Sequence, residues 1–172
     1  MEAEGKLRTA WAEGSVMEIS AHNILGATRL AMARCVAKLA VGALAPLFAA
    51  AGTEGELFGR TDARTFLVLV DGLPLRPFAW AHESVKGGDG KSLAIALASI
   101  VAKVERDRLL TEMDARYPQY GFATHKGYGT PDHVEALRAH GPCPEHRDLF
   151  VRTILAGDPP PAESLDGEFS FE

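Results

Sequence analysis

The sequence predicts an α/β domain, and three segments in chain order carry that prediction. TFLVLVDG (65–72) is a short unbroken apolar run, partly β-branched and stopped by Asp71-Gly72, as expected of a strand buried on both faces. A second strand fits around 78–85, where Gly87-Gly88-Asp89-Gly90 breaks it. KSLAIALASIVAKVERDRLLTEMDARY (91–117) then reads as a long helix, with Leu93, Ala96, Leu97, Ile100, Val101 and Val104 on one stripe. Strand, glycine turn and helix in that order build alternating layers.

The other elements flank this unit. RTAWAEGSV (8–16) reads as a short strand running into a turn at Gly14. HNILGATRLAMARCVAKLA (22–40) repeats apolar residues at Ile24, Ala27, Ala31, Cys35 and Leu39, the three-and-four spacing of an amphipathic helix, with Asn23 placed to cap it. GTEGELFGRTDA (52–63) is polar and turn-rich, a surface loop. A last helix spans 131–140, capped by Thr130, opened by Pro131 and ended by Gly141-Pro142. Residues 156–172, with Pro159-Pro160-Pro161, are expected to form a disordered acidic tail behind a single domain over 1–155.

Charge and cysteine content narrow the class. The net charge of −5 argues against a nucleic-acid partner until it is located. Asp158, Glu163, Asp166, Glu168 and Glu172 account for all of it, since the tail has no Lys or Arg. The body is neutral, and basic side chains gathered on one face, helped by divalent cations, would still hold a phosphate backbone. Cys35 and Cys143 are too few for a disulfide framework. No apolar stretch reaches the length of a membrane span and MEAEGKLRTAW has no signal-peptide core, so the expectation is a cytoplasmic monomer.

Asp71 and Asp89 stand at the ends of the two strands, 18 positions apart. Carboxylates at one edge of a sheet suit Mg²⁺ or Mn²⁺, which take hard oxygen ligands and keep several waters. Asp before Gly is equally common as a simple turn residue, and both readings stand at this point. GGDGKS (87–92) suggests a phosphate-binding loop, but the signature needs Gly where Val85 stands. His140, Cys143 and His146 have zinc-like spacing; two prolines and no fourth ligand nearby favour a loop. Asp107, between Arg106 and Arg108, reads as a solvated ion pair on a helix. Lys103, Arg106, Arg108, Lys126, Arg138, Arg147 and Arg152 could line a phosphate track or simply a solvated surface.

Four blocks together carry more weight. TFLVLVDG, VKGGDGKSLAIALASIVAKVERDR, YPQYGFATHKGYGT and HVEALRAHGPCPEHR resemble, in order, the last two thirds of bacterial ribonuclease HII, the type 2 ribonuclease H. HNILGATRLAMARCV is similar to that family's first long helix, so the resemblance covers about residues 7–150. It implies a ribonuclease H-like fold, a mixed five-stranded sheet with surrounding helices. It also implies four carboxylates binding two Mn²⁺ or Mg²⁺ ions, Asp71 and Asp89 being two of the four. The family's glycine turn is written here as KGGDG, with an extra Gly. Tyr128 in HKGYGT matches the tyrosine that packs on the deoxyribose beside the scissile junction, and Lys126 falls in the same block as a substrate contact.

The implied activity is endonucleolytic hydrolysis of the RNA strand in RNA–DNA hybrids and at ribonucleotides embedded in duplex DNA. It leaves a 3′-hydroxyl and a 5′-phosphate and serves DNA replication and repair. The other two carboxylates belong to a GxDEAGRG motif that is absent from these 172 residues. A decayed copy would not be expected to keep Asp71, Asp89 and Tyr128 together. The expectation is therefore an N-terminally truncated chain whose first strands are missing and which is inactive alone. The alternative is a non-catalytic hybrid-binding remnant.

Overall fold

The computed structural model describes residues 7–40 and 67–156. Their order is α1 (Val16–Ala40), β1 (Leu69–Asp71), β2 (Glu83–Val85), α2 (Leu93–Arg116), a 3-10 turn (Pro118–Tyr120), α3 (Phe122–His125), α4 (Pro131–His140) and α5 (Asp148–Ala156). The loop expected at 52–63 and the tail from residue 157 lie outside the described residues. The chain divides into two compact units. One holds β1, β2 and the helical residues from Ile24 and up to Val104; the other holds Ser15–Asn23 and the chain from Glu105 onward.

In the first unit β1 and β2 pair in parallel, with Leu69 opposite Glu83, Val70 opposite Ser84 and Asp71 opposite Val85. Backbone bonds from Glu83 N to Val68 O (2.9 Å) and from Gly72 N to Val85 O (3.1 Å) extend the ladder by one step at each end. Burial on both faces holds for Val70 alone; Leu67 is exposed, and among the described residues the sheet has two strands. β2 starts later than the expected 78–85 but ends where expected, at Val85, and Asp89 sits in the turn beyond it rather than at its last residue.

The apolar stripe expected on α2 faces inward only in part: Ala96, Leu97 and Val101 are half-buried, and the rest are exposed. Leu93 is 74% exposed, and Ile100 and Val104 are each 59% exposed. Ile95 is buried instead, because the glycine turn after β2 packs against it: a Cβ built at Gly88 would lie 2.5 Å from Ile95 Cδ1. Four-residue periodicity fixes that a face exists. The contact with the turn fixes which one is inward.

The strand expected at 8–16 is irregular backbone followed by the start of α1. Carbonyls that a strand would give to a neighbour go instead to side chains of α1, Arg34 to Glu13 O (2.9 Å) and Lys38 to Trp11 O (2.6 Å). Lys38 also lies 5.5 Å from the Trp11 ring centre. In the second unit, Ser15 opens the helix with a capping box: Glu18 N donates to Ser15 Oγ (3.2 Å) while Ser15 N donates to the Glu18 carboxylate (2.9 Å). The Ser15-Val16-Met17-Glu18 signature was present in the sequence. Ser15→Ala should lower stability by about 1 kcal/mol, read as a urea midpoint shift at unchanged slope. An unchanged midpoint would show that the cap is idle. Asn23, expected at the start of the helix, interrupts it at φ 58° and ψ 175° and so stands at the head of the second segment.

The second unit has its own core of Leu110, Tyr120, Phe122, Leu137, Val151 and Ile154. α4 matches its sequence signals: Thr130 Oγ1 accepts from His133 N, Pro131 fills the first turn, and Gly141 N closes on Leu137 O at 2.9 Å. α5 was not anticipated, although DLFVRTILA places Val151 and Ile154 three apart on one buried face. Among the described residues no helix is long and apolar enough to cross a membrane.

Candidate active site

Parallel pairing sends β1 and β2 out of the sheet at the same end, so the residues that follow both strands meet there. Asp71 closes β1, and its Oδ1 accepts the Gly88 N–H at 2.8 Å across that end. Gly88 is buried and leaves no space for a side chain. A Cβ there would also come within 3.0 Å of Val85 O and 3.3 Å of Asp71 Oδ1. Gly87 supplies the left-handed step (φ 62°) that brings the turn back over the strand ends. The doubled glycine thus has a division of labour, one residue turning and the next fitting. Asp89 follows directly, half-buried, with no hydrogen bond or ion pair among the described residues. The turn then closes into α2 through Lys91 N and Ser92 N, both donating to Gly88 O.

These donors fit Mg²⁺ or Mn²⁺ in kind, since both are carboxylate oxygens. They fit in number only in part. The described residues contain no group of three or more His, Cys, Asp or Glu able to enclose an ion. Asp71 and Asp89 are two ligands of a shell that needs water or further carboxylates.

In the second unit, Tyr128 projects from the loop 126–129 with 54% of its surface exposed. The loop is bonded at nearly every step: Lys126 N to Phe122 O (3.0 Å), Gly127 N to His125 Nδ1 (3.1 Å), Tyr128 N to His125 O and Thr130 N to Tyr128 O (both 2.9 Å). Lys126 is left-handed (φ 52°) and gives its Nζ to Thr111 Oγ1 at 3.3 Å, while Arg106 donates to its carbonyl at 3.1 Å. Lys126 is thus tied into the scaffold as well as being basic.

Behind the loop lie three buried histidines, of which the sequence pointed only to His146, as one of a zinc-like set, and favoured a loop there. His133 and His125 stack with centres 4.1 Å apart and 10° between planes, and His133 Nε2 is 3.0 Å from His146 Nε2. The rings of Phe122, Phe150 and Tyr120 enclose them. Burial, with the His133 charge next, holds His146 down to about 4, against an upward pull from the Cys143 backbone. His133 is lowered as well, chiefly by burial. Burial raises the Cys143 thiol, whose sulfur lies 3.1 Å from His146 Nδ1. The available signal was density: four of the six histidines fall between 125 and 146.

Comparison with known proteins agrees with the sequence resemblance. Residues 78–155 match the family model described as Ribonuclease HII. A Ribonuclease HII from Acetivibrio thermocellus is 43% identical over 138 residues, covering 80% of this chain and 45% of that protein. One from Paracidovorax citrulli is 45% identical over 145 residues, covering 84% and 51%. One from Bordetella pertussis is 45% identical over 152 residues, covering 87% and 65%. The chain spans about half the length of the first two. The GGDG turn and the HKGYGT loop both fall inside residues 78–155, and the chain belongs to the ribonuclease HII family.

Proposed function

We propose that this chain carries part of the active site of a divalent-metal endoribonuclease. The substrates are RNA–DNA hybrids and duplex DNA with embedded ribonucleotides. The observation that supports it most is the meeting of Asp71 with the Gly88–Asp89 turn at one end of two parallel strands. Mn²⁺ or Mg²⁺, when bound, would supply charge neutralisation at the scissile phosphate. Asp71 and Asp89 give that ion its oxygen ligands. Tyr128 offers an exposed ring for a sugar face, and Arg106 and Lys126 put positive charge beside it. Choice of RNA over DNA rests on the ribose 2′-hydroxyl.

Two carboxylates hold one cation loosely, and clamping both the attacking and leaving oxygens takes two ions. The 172 residues alone are therefore proposed to bind a hybrid without cutting it efficiently. Fluorescence anisotropy with a labelled RNA–DNA hybrid tests this. Tyr128→Ala should weaken binding by roughly 1–3 kcal/mol, the usual worth of an aromatic contact to a nucleotide. Equal affinity of wild type and Tyr128→Ala, or no binding by either, would overturn the substrate assignment.

A further inference from the structure

We propose that His125, His133 and His146 are positioning residues for Tyr128. His146 and His133 form a proton-ordered relay, and His125, stacked on His133, bonds the loop separately; together they fix the loop backbone on which the tyrosine stands. The relay's role in substrate affinity rests on the hybrid-binding function proposed above; its proton order does not.

That order follows from the hydrogen bonds alone. Cys143 N–H donates to His146 Nδ1 at 3.0 Å, so that nitrogen is an acceptor and the ring proton sits on Nε2. Nε2 faces His133 Nε2 at 3.0 Å, and one of the two must accept; the proton on His146 makes it His133. His133 therefore carries its proton on Nδ1, which points at the Tyr128 carbonyl 2.8 Å away. His125 is fixed independently. Its Nδ1 accepts Gly127 N–H at 3.1 Å, so Nε2 holds the proton and donates to Tyr120 O at 2.6 Å. Each of the six ring nitrogens has a partner of the right kind, His146 Nδ1 having the Cys143 sulfur at 3.1 Å as well as Cys143 N, and all three rings are neutral. A further proton would set two N–H groups against each other between His133 and His146, or expel Cys143 N–H from His146.

A core position needs only apolar volume, and three imidazoles among aromatic rings are a costly way to provide it. What they add is direction. One ring takes the N–H of Gly127 and another supplies the donor to the Tyr128 carbonyl, so the backbone on both sides of the Tyr128 amide is held by side chains. The far end of the relay is anchored at the GPCPEH turn, through Cys143 N. The groups facing the array are the Cys143 thiol and the Tyr120 phenol, whose hydroxyl is spent on Gly141 O at 2.7 Å; among the described residues no carboxylate or cation hydrogen-bonds to it.

The test uses the full 172-residue chain with ¹⁵N-labelled histidine and long-range ¹H–¹⁵N spectra at neutral pH. The expected result is Nε2–H for His125 and His146, Nδ1–H for His133, and no charged ring among them. An Nε2–H tautomer at His133, averaging between tautomers, or a charged ring would overturn the proposal. Two substitutions then read its consequence. An Asn amide reaches roughly where Nδ1 does, so His133→Asn keeps the donor to Tyr128 O, whereas His133→Phe removes it. Amide exchange at Gly127 and Tyr128 should quicken about tenfold or more in His133→Phe and stay within about threefold of wild type in His133→Asn. Hybrid affinity should follow the same order. Unchanged exchange in His133→Phe would overturn positioning. If wild type shows the expected tautomers and protection but does not bind a hybrid, the functional reading falls and the relay stands.

Discussion

Asp71→Asn should cost the chain its affinity for Mn²⁺ by more than the roughly 10–100-fold that losing an outer partner of a metal ligand costs. Asn keeps an oxygen able to accept the Gly88 N–H, so the turn stays where it is and the charge is what disappears. Any form of the protein that cleaves should lose cleavage with the same substitution, because an amide is a far weaker ligand for a hard cation than a carboxylate. Gly88→Ala attacks the same end by shape. The added Cβ meets Ile95 Cδ1 at 2.5 Å, which that side chain can relieve by rotating, and backbone Val85 O at 3.0 Å and Asp71 Oδ1 at 3.3 Å, so the turn is expected to shift by a few tenths of an ångström against Asp71 although both carboxylates remain. Mn²⁺ titration followed by electron paramagnetic resonance measures both. Wild-type affinity in Asp71→Asn would remove Asp71 from the metal site, and wild-type affinity in Gly88→Ala would show that the turn need not touch it.

Acidification should unfold the chain through the histidine array. Unfolded, His146 takes up a proton near its ordinary 6.5; folded, it resists until about 4. Between those values the unfolded state holds the extra proton, so stability falls as pH falls. His146's contribution is fully present above about 6.5 and fully lost below about 4, and a shift of that size amounts to roughly 3 kcal/mol. His133, lowered for the same first reason, adds in the same direction. The observable is the urea midpoint followed from neutral pH to about 4. It should drop steeply in wild type and less steeply in His146→Gln. A flat profile in wild type would mean that the array accepts protons in the folded state, against the hydrogen-bond order that fixes it.

The sequence signals that survived folding were local ones. Thr130, Pro131 and Gly141 bound α4 because caps act through the backbone a few residues away, whatever the rest of the chain does. Asp71-Gly72 and the GGDG turn ended their strands for the same reason. Where the reading needed a partner, it erred. RTAWAEGSV looks like a strand, but its carbonyls go to Arg34 and Lys38, and nothing within nine residues announces that. The apolar stripe of α2 was right only in part, because the turn around Gly88 packs on Ile95, a residue outside it.

The family, the α/β order, and the identity of Asp71, Asp89, Lys126 and Tyr128 as candidates were therefore readable from the chain alone, since each is a matter of residue type and spacing. Which glycine of the KGGDG turn lies under Asp71, and how His133, backed by His146, and His125 hydrogen-bond the backbone of the Tyr128 loop, was decided only in three dimensions. Hydrogen bonds between residues 5, 13 and 17 positions apart leave no periodicity to read. A histidine's tautomer belongs to the atoms that face it rather than to its place in the sequence.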